Sequence, residues 1–273
     1  MKQTDNERTA GPGTPGPAGP RLLLAGGPAD REKAAALAEQ LGLRAVFRPE
    51  ETETETVWLA LGRDGLALTD GAMTLRGDFA ALIPRLRPDR LGGELLVRAA
   101  RIRGASGTLT AVDATAGLGE DALLLAASGF HVRMYERDPV IAALLADALE
   151  RAERVPELAG PVSRMTLLRE DSRDALEGGD LRPDVVYLDP MFPEKTKSAL
   201  TGKKFQLLHR LAVPCAEEEA LLRAALAARP RRVVVKRPLK GPWLAGVRPG
   251  HTIRGKAVRY DCLVPPPDRK EEE

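Results

Sequence analysis

The sequence has few of the residues from which metal sites and disulfides are built. It contains only two cysteines, Cys215 and Cys262, and three histidines, His131, His209 and His251, all scattered along the chain. No CxxC pair occurs, so the ligand spacing typical of zinc sites is missing. A disulfide is not expected in a reducing compartment. We therefore expect a mechanism that uses no metal.

Long apolar runs are also missing. No stretch approaches the roughly 20 residues needed to span a membrane. The first twenty residues, MKQTDNERTAGPGTPGPAGP, lack the apolar centre of a signal peptide. We therefore expect a cytoplasmic protein without a membrane partner. Residues 1–20 are rich in glycine and proline, and this composition predicts a disordered tail.

Charge is nearly balanced overall but unevenly distributed. The 273 residues carry a formal net charge of +2, and 43% of them are hydrophobic. Basic residues gather in the second half, at Lys195, Lys197, Lys203, Lys204 and Arg210 and again from Arg231 to Arg259. Such clustering suits a polyanionic partner, although ordinary solvated surface charge gives the same pattern.

The order of predicted elements indicates two parts. Residues 21–78 predict a small N-terminal α+β lobe, with a hairpin formed by strands 57–61 and 65–68. From residue 79 helices come first, and after residue 108 strands and helices alternate. Strands are predicted at 108–112, 131–135, 165–168, 185–188, 232–235 and 258–264, and helices at 79–86, 94–102, 121–127, 138–151 and 217–228. This alternation predicts a doubly wound, Rossmann-like α/β sheet over residues 79–273, with ligands at the carboxyl ends of the strands.

A glycine-rich turn follows the first strand of that sheet. Gly117, Gly119 and Ala122 match G-x-G-x-x-A, so a dinucleotide site has to be considered. A pyrophosphate requires the bare positive end of a helix, however, and Glu120 and Asp121 occupy that end. The turn therefore favours a cofactor without phosphate. A tight turn with acidic helix caps and no ligand is the structural alternative.

Three acidic strand ends favour S-adenosylmethionine, which carries a sulfonium and an ammonium group. Asp113 ends the first strand and adds a third carboxylate to the turn. Glu136 follows the second strand, where an acid can hold both ribose hydroxyls. Asp171 and Ser172 follow the third, where Asp171 can accept a hydrogen bond from the adenine amino group. These positions predict a class I methyltransferase.

The fourth strand ends in the run Asp189-Pro190-Met191-Phe192-Pro193. An exocyclic amine of a nucleobase is a weak nucleophile, because its lone pair is delocalised into the ring. The Asp189 carboxylate and the Pro190 carbonyl can accept its two protons and aim the lone pair, since proline fixes the backbone. Phe192 offers a face on which the base stacks. We predict these three as the catalytic residues; a plain strand-ending turn is the alternative.

Four segments make the chain similar to a known family. Residues 112–125 (VDATAGLGEDALLL), 132–145 (VRMYERDPVIAALL), 185–200 (VVYLDPMFPEKTKSAL) and 232–238 (RVVVKRP) resemble the bacterial ribosomal RNA small subunit methyltransferase J family. The resemblance implies S-adenosylmethionine-dependent methylation of a guanosine N2 amine in 16S rRNA. It implies cofactor contacts at Glu120, Asp121, Glu136, Arg137, Asp171, Ser172 and Asp189.

Three alternatives to an rRNA (guanine-N2)-methyltransferase stay open. The chain could act on another nucleic-acid base or on a protein glutamine. It could be an RNA-binding assembly factor without turnover. An NAD-type oxidoreductase is the third, and Glu120 and Asp121 argue against it. The expected partner is 16S rRNA or the small ribosomal subunit, contacted by basic residues that include Arg98, Arg101, Arg103, Arg237 and Lys240.

Overall fold

The structure is a computed structural model, and it describes residues 20–53, 55, 57–190 and 218–265. The chain divides into two compact units, residues 1–75 and 76–273. In the described part of the chain, no helix combines the length and the apolarity needed to cross a membrane.

The N-terminal unit contains a five-stranded sheet. Its elements are β1 (Leu22–Ala25), α1 (Arg31–Leu41), β2 (Arg44–Val46), β3 (Trp58–Gly62), β4 (Gly65–Thr69) and β5 (Thr74–Leu75), with short 3-10 helices at Pro28–Asp30 and Pro49–Thr52. The strand order is β2-β1-β3-β4-β5. β3 and β4 form the predicted hairpin: they pair antiparallel and close at Gly62 and Gly65, where Gly65 takes a φ of 93°.

The C-terminal unit begins with helices and continues as a seven-stranded sheet. Its helices are α2 (Ile83–Leu86), α3 (Pro88–Leu91), α4 (Leu95–Ala100), α5 (Glu120–Ala127), α6 (Pro139–Ala152), α7 (Pro156–Val162), α8 (Ser172–Glu177) and α9 (Glu218–Ala227), with 3-10 helices at Ala80–Leu82 and Leu244–Gly246. Its strands are β6 (Leu109–Asp113), β7 (Phe130–Tyr135), β8 (Met165–Leu168), β9 (Val185–Leu188), β10 (Arg232–Pro238), β11 (His251–Arg254) and β12 (Val258–Leu263).

The strand order of this sheet is β11-β12-β10-β9-β6-β7-β8. β6 to β10 are parallel, and β12 runs antiparallel to both of its neighbours. The order reverses between β6 and β9, so a crevice opens at their carboxyl ends, the usual ligand position in open α/β sheets. The sequence-based prediction of a doubly wound, Rossmann-like sheet is confirmed.

Apolar side chains cover both faces of the sheet. One core cluster joins β6 and β7 to residues of α4, α5, α6 and α7, and a second joins β9 and β10 to residues of α8 and α9. β9 is buried at all four positions, as expected of a central parallel strand with helices on both sides. The rigid sheet therefore holds its strand ends in fixed relative positions.

Local signals locate the start of α6. Asp138 Oδ1 accepts hydrogen bonds from the backbone N–H groups of Val140 and Ile141, at 2.9 and 3.0 Å, and Pro139 takes the first helical position. The helix predicted from residue 138 is confirmed. This cap matters for the site because Glu136 lies two residues before Asp138, and its side chain accepts a hydrogen bond from the Asp138 N–H.

Candidate active site

Acidic residues collect at the carboxyl edge of the sheet. Asp113 ends β6, Glu136 directly follows β7, and Asp189 directly follows β9. β6 pairs with both β7 and β9, which places Asp113 opposite Met134 on one side and Tyr187 on the other. The topology therefore gathers three of the predicted site residues at one edge.

The glycine turn is fixed by hydrogen bonds to both neighbouring strands. The N–H of Ala114 donates to the Tyr187 carbonyl at 3.0 Å, and the N–H of Ala116 donates to the Tyr135 carbonyl at 3.1 Å. The N–H of Asp189 donates to Thr115 Oγ1 at 2.7 Å. The turn and the start of the predicted catalytic run are thus joined directly.

Gly117 and Gly119 both adopt positive φ, 53° and 76°, but the space around them differs. A Cβ on Gly119 would lie 2.7 Å from Leu145 Cδ1 and 3.1 Å from Phe79 Cζ, so this glycine lets the helices pack. A Cβ on Gly117 would meet nothing closer than 4.0 Å. The open space at Gly117 is available to a ligand.

Glu136 holds the turn and keeps acceptor capacity for a ligand. Its Oε2 accepts from the N–H of Gly117 at 3.0 Å, and its Oε1 accepts from the N–H of Asp138 at 2.9 Å. A carboxylate offers about four acceptor sites, so about two stay available for the two hydroxyls of a ribose. Burial raises the pKa of Glu136 to about 7, although both N–H groups oppose the rise.

Asp113 differs from the expected third carboxylate. Its side chain is 1% exposed, and its Oδ1 accepts from the N–H of Thr115 at 3.1 Å. Burial raises the pKa of Asp113 to about 8, with the charges of Asp121, Asp189 and Glu136 adding to the rise. At neutral pH the group is therefore largely protonated. Burial therefore favours the neutral form over the expected carboxylate, and the cofactor contact of Asp113 stays a prediction.

Lys236 on β10 links two of the predicted residues. Its Nζ lies 2.7 Å from Asp121 Oδ2 and 3.0 Å from Asp189 Oδ2. The hydroxyl of Tyr187 donates to the same Asp121 oxygen at 2.6 Å. Asp121 therefore shares a cation with the predicted catalytic carboxylate, although it was predicted only as a cofactor contact.

Opposing effects set the charge of this group. Burial raises the pKa of Asp189, and the Lys236 ammonium lowers it again, leaving the pKa above its ordinary value. Burial alone would lower the pKa of Lys236, but Asp121 and Asp189 outweigh it and the pKa is raised. The lysine thus stays charged and favours the ionised form of Asp189.

Asp171 and Ser172 lie at the start of α8. Asp171 Oδ1 accepts from the N–H of Arg173 at 2.9 Å, and its Oδ2 lies 2.7 Å from Arg173 Nη2 and 3.6 Å from Arg137 Nη1. The bond from Arg173 lowers the pKa of Asp171. Ser172 is 6% exposed. The structure brings Arg137 and Asp171 together, and the adenine contact of Asp171 and Ser172 stays a prediction.

The other predicted residues lie around this edge. Glu120 is the exposed first residue of α5, and Pro190 is buried immediately after Asp189. Phe192 and the lysines at 195, 197, 203 and 204 fall outside the described residues. Among the described residues, no group of three or more His, Cys, Asp and Glu side chains is arranged to hold a metal ion.

Sequence reasoning missed three participants: Lys236, Tyr187 and Thr115. Lys236 was counted only among the basic residues of the C-terminal part. One signal was available, because a lysine directly after the apolar run Val233-Val234-Val235 must lie near the carboxyl edge of a strand. Tyr187 and Thr115 carried no comparable signal.

The residues of this edge fit S-adenosylmethionine. The open space at Gly117 would take the cofactor next to the turn, and Glu136 has acceptor positions for ribose hydroxyls. Glu120 and Asp121 at the start of α5 suit a cationic amino-acid group and disfavour a pyrophosphate. Asp189 and Thr115 border the same turn. The donor and acceptor chemistry therefore agrees with the cofactor expected from the sequence.

Comparison with known proteins gives the same assignment. A family model for SAM-dependent methyltransferases matches residues 37–265. The chain is 43% identical over 244 residues to ribosomal RNA small subunit methyltransferase J of Thioalkalivibrio sulfidiphilus, which spans 86% of this chain and 93% of that protein. It is 41% identical over 254 residues to the protein of the same name from Pseudomonas aeruginosa, covering 89% and 95% of the two chains.

A solved structure is also similar. The crystal structure of a SAM-dependent methyltransferase from Neisseria gonorrhoeae matches with a TM-score of 0.71 and 31% identity, covering 92% of this chain and 99% of that one. The Rossmann-like class I fold and the cofactor S-adenosylmethionine are thereby established. The chain belongs to the ribosomal RNA small subunit methyltransferase J family of S-adenosylmethionine-dependent methyltransferases.

Proposed function

We propose that the protein transfers a methyl group from S-adenosylmethionine to the exocyclic N2 amine of a guanosine in the 16S rRNA of the small ribosomal subunit. The observation that carries the proposal is the placement of Asp189. Its carboxylate lies at the carboxyl end of β9, pairs with Lys236, and is joined through its backbone to the glycine turn. The names of the relatives support small-subunit rRNA as the substrate.

Asp189 and Pro190 would orient the amine. Two acceptors, the carboxylate and the Pro190 carbonyl, would draw the two N–H bonds out of the plane of the ring and so direct the nitrogen lone pair towards the methyl group. Lys236 would favour the ionised carboxylate and restrict its position, since its ammonium is itself held by Asp121. As the C–N bond forms, the S–C bond of the sulfonium would break, and the nitrogen must then lose one proton, for which Asp189 would be the acceptor.

The cofactor would be bound by residues of the neighbouring strand ends. S-Adenosylmethionine supplies an electrophilic methyl group on its sulfonium. Glu136 would accept hydrogen bonds from the ribose hydroxyls, and Asp171 and Ser172 would face the adenine. Asp113, Gly117, Gly119, Glu120, Asp121 and Arg137 complete the predicted cofactor contacts. Phe192 would stack on the guanine after the nucleotide is flipped out or where it is already unpaired.

Nucleoside analysis of rRNA tests the proposal. Small-subunit rRNA is prepared from cells with and without the protein, digested, and examined by mass spectrometry for N2-methylguanosine. We expect one N2-methylguanosine to disappear without the protein and to return when the gene is supplied. An unchanged nucleoside profile would contradict the rRNA assignment. Transfer of labelled methyl groups into protein instead would favour the alternative of a glutamine substrate.

A further inference from the structure

We propose that the segment between β10 and β11, residues 239–250, is a second RNA contact in which an unpaired base stacks on Trp243 while Lys240 and Arg248 hold neighbouring phosphates. We call this segment the Trp243 loop. The inference rests on the proposed function for the class of its partner, RNA. It adds a binding surface that is separate from Asp189 and from the predicted cofactor contacts.

An exposed indole is the first observation. Trp243 is 43% exposed, and in the described part of the chain it is the largest apolar side chain left open to solvent. Val247, in the same loop, is 42% exposed. Tryptophan is enriched at binding interfaces, because its indole combines a large apolar face with a polar N–H. Its flat face accepts any nucleobase, because every base has a π-face.

Two buried arginines hold the backbone on which Trp243 stands. Arg237 is 1% exposed and donates from Nε to the Pro242 carbonyl at 2.8 Å. Arg259 is 5% exposed and donates at 2.8–3.2 Å to four carbonyls, those of Pro238, Leu239, Gly241 and Pro242. Buried guanidinium groups are uncommon. Here they fix the residues immediately before the indole.

The residues after Trp243 are also fixed. Leu244 is 3% exposed and belongs to the core cluster that joins β9 and β10 to α8 and α9. Ala245 then takes a φ of 49°, an unfavourable conformation for a residue with a Cβ, and Gly246 takes 71°. A surface presented on such a constrained backbone loses little freedom when a ligand binds.

The loop starts at the edge of the sheet where the predicted chemistry occurs. β10 runs parallel to β9, so the end of β10 lies at the same edge as Asp189, and Lys236 on β10 pairs with Asp189. A nucleotide strand whose guanosine is presented to Asp189 would therefore pass close to the start of the loop. This location favours a contact with nucleotides that flank the target.

The charge around the loop suits a polyanion. Residues 220–260 contain no Asp or Glu, although the whole chain has 41 basic and 39 acidic residues. Four basic side chains of this region are exposed in or beside the loop: Lys240, Arg248, Arg254 and Lys256. Such local segregation produces a positive surface that attracts phosphates. A protein partner of ordinary, mixed charge would gain less from it.

Intrinsic fluorescence tests stacking directly, because the chain has two tryptophans, Trp58 and Trp243. Trp58→Phe leaves Trp243 as the single indole, and the matched variant Trp243→Phe leaves Trp58. Each is titrated with a single-stranded RNA 12-mer and with inorganic polyphosphate. We expect RNA to quench the emission of Trp58→Phe and leave that of Trp243→Phe unchanged, and polyphosphate to quench neither. If fluorescence anisotropy shows that RNA binds to Trp58→Phe but the emission of Trp243 is not quenched, the stacking of a base on Trp243 is overturned.

Binding measurements test the contribution of the indole. Trp243→Ala is expected to weaken single-stranded RNA binding by about tenfold, whereas Trp243→Phe keeps most of the affinity. Both should bind S-adenosylhomocysteine like the wild type, which also reports a folded protein. Lys240→Gln and Arg248→Gln should each reduce the salt dependence of RNA binding by about one phosphate contact. Unchanged RNA affinity in Trp243→Ala would overturn the inference.

Three further outcomes bear on this inference and on the proposed function. If the wild type methylates rRNA and Trp243→Ala does so with the same KM, the proposed function stands and the inference fails. If the wild type methylates no rRNA, the proposed function fails whatever Trp243 does. Loss of affinity for assembled subunits with full affinity for naked RNA would indicate a ribosomal protein at this loop and would also overturn the inference.

Discussion

The ammonium of Lys236 lies 3.0 Å from the carboxylate of Asp189, at the carboxyl ends of two adjacent parallel strands. The same ammonium lies 2.7 Å from Asp121, the second residue of the helix after the glycine turn. Lys236 therefore links Asp121, which is predicted to contact the cofactor, to Asp189, which is predicted to orient the amine. Its charge favours the ionised form of Asp189 in this partly buried position.

Lys236→Met should shift the pH dependence of methyl transfer. Burial raises the pKa of Asp189 and Lys236 lowers it, so removing the cation leaves the pKa higher still. A protonated Asp189 accepts hydrogen bonds less well, and activity lost on acidification should then be lost at a higher pH. The measurement is kcat against pH for both proteins. Lys236→Arg is the matched control, and it should move the acidic limb less than methionine does.

The same profile separates a positioning role from a merely structural one. A variant that is only less stable would lose activity at all pH values by the same factor, with no displacement of the acidic limb. That result would contradict the role given to Lys236.

Gly117→Ala and Gly119→Ala should mainly affect different properties, cofactor affinity in the first variant and stability in the second. Both residues have positive φ, so both substitutions cost about 1 kcal/mol in backbone energy. At Gly119 the added Cβ also meets Leu145 and Phe79, which should raise the loss of unfolding free energy to about 2–4 kcal/mol. At Gly117 the Cβ enters open space predicted for the cofactor, and the main loss should be in S-adenosylhomocysteine affinity.

Urea unfolding and calorimetric titration measure the two effects. Equal stability losses in both variants, with equal loss of cofactor affinity, would show that the open space at Gly117 has no part in binding.

Glu136→Gln should weaken cofactor binding by about tenfold or more, because hydrogen bonds to a charged acceptor are worth about 1.5–3 kcal/mol. Burial raises the pKa of Glu136 to about 7, so the wild-type carboxyl takes up a proton as the pH falls through that value. Affinity for S-adenosylhomocysteine should therefore fall between pH 8 and pH 6. Glu136→Gln should lose this pH dependence.

The matched control is Glu153→Gln, an exposed residue just after α6. It should bind S-adenosylhomocysteine like the wild type at every pH. A wild-type affinity that is constant from pH 6 to pH 8 would contradict an ionised Glu136 at the ribose.

Asp113→Asn should stabilise the protein increasingly as the pH rises. Burial raises the pKa of Asp113 to about 8, whereas the unfolded chain has an ordinary value of about 3.9. A raised pKa contributes stability that is present below the unfolded value and is lost as the pH rises towards 8. Asparagine cannot ionise and keeps an oxygen for the Thr115 N–H, so it avoids that loss.

The expected gain grows by at most about 1.4 kcal/mol per pH unit between pH 4 and pH 8. Urea unfolding at several pH values measures it. A difference between variant and wild type that does not change with pH would contradict the raised pKa of Asp113.

Sequence pattern was sufficient for strands that consist of one apolar run. The bounds predicted for β8 and β9 agree with the structure, because an apolar run bounded by charged residues permits one placement. The short strands β2, β5 and β11 and the helices α3, α7 and α8 were missed. They have seven residues or fewer, and α7 contains Pro161, so periodicity and propensity gave no usable signal.

The candidate site was predictable only where its residues follow a strand directly. Asp113, Glu136 and Asp189 could be located at one edge because parallel strands end together. The pairing of Asp121 with Lys236 could not, since it depends on β10 lying next to β9, far along the chain. The protonation of Asp113 could not either, because burial is a property of the folded surroundings.

Methyl transfer by Asp189→Ala tests the central claim most directly. The variant and the wild type are incubated with small subunits from cells that lack the protein and with labelled S-adenosylmethionine, and the rRNA nucleosides are separated. Asp184→Asn is the control, because Asp184 lies at the other end of β9, where its carboxylate accepts a hydrogen bond from the Thr110 N–H.

We predict label in N2-methylguanosine for the wild type and for Asp184→Asn, and a rate at least about 100-fold lower for Asp189→Ala with S-adenosylhomocysteine binding retained. Label in any other nucleoside, or an undiminished rate in Asp189→Ala, would contradict the account.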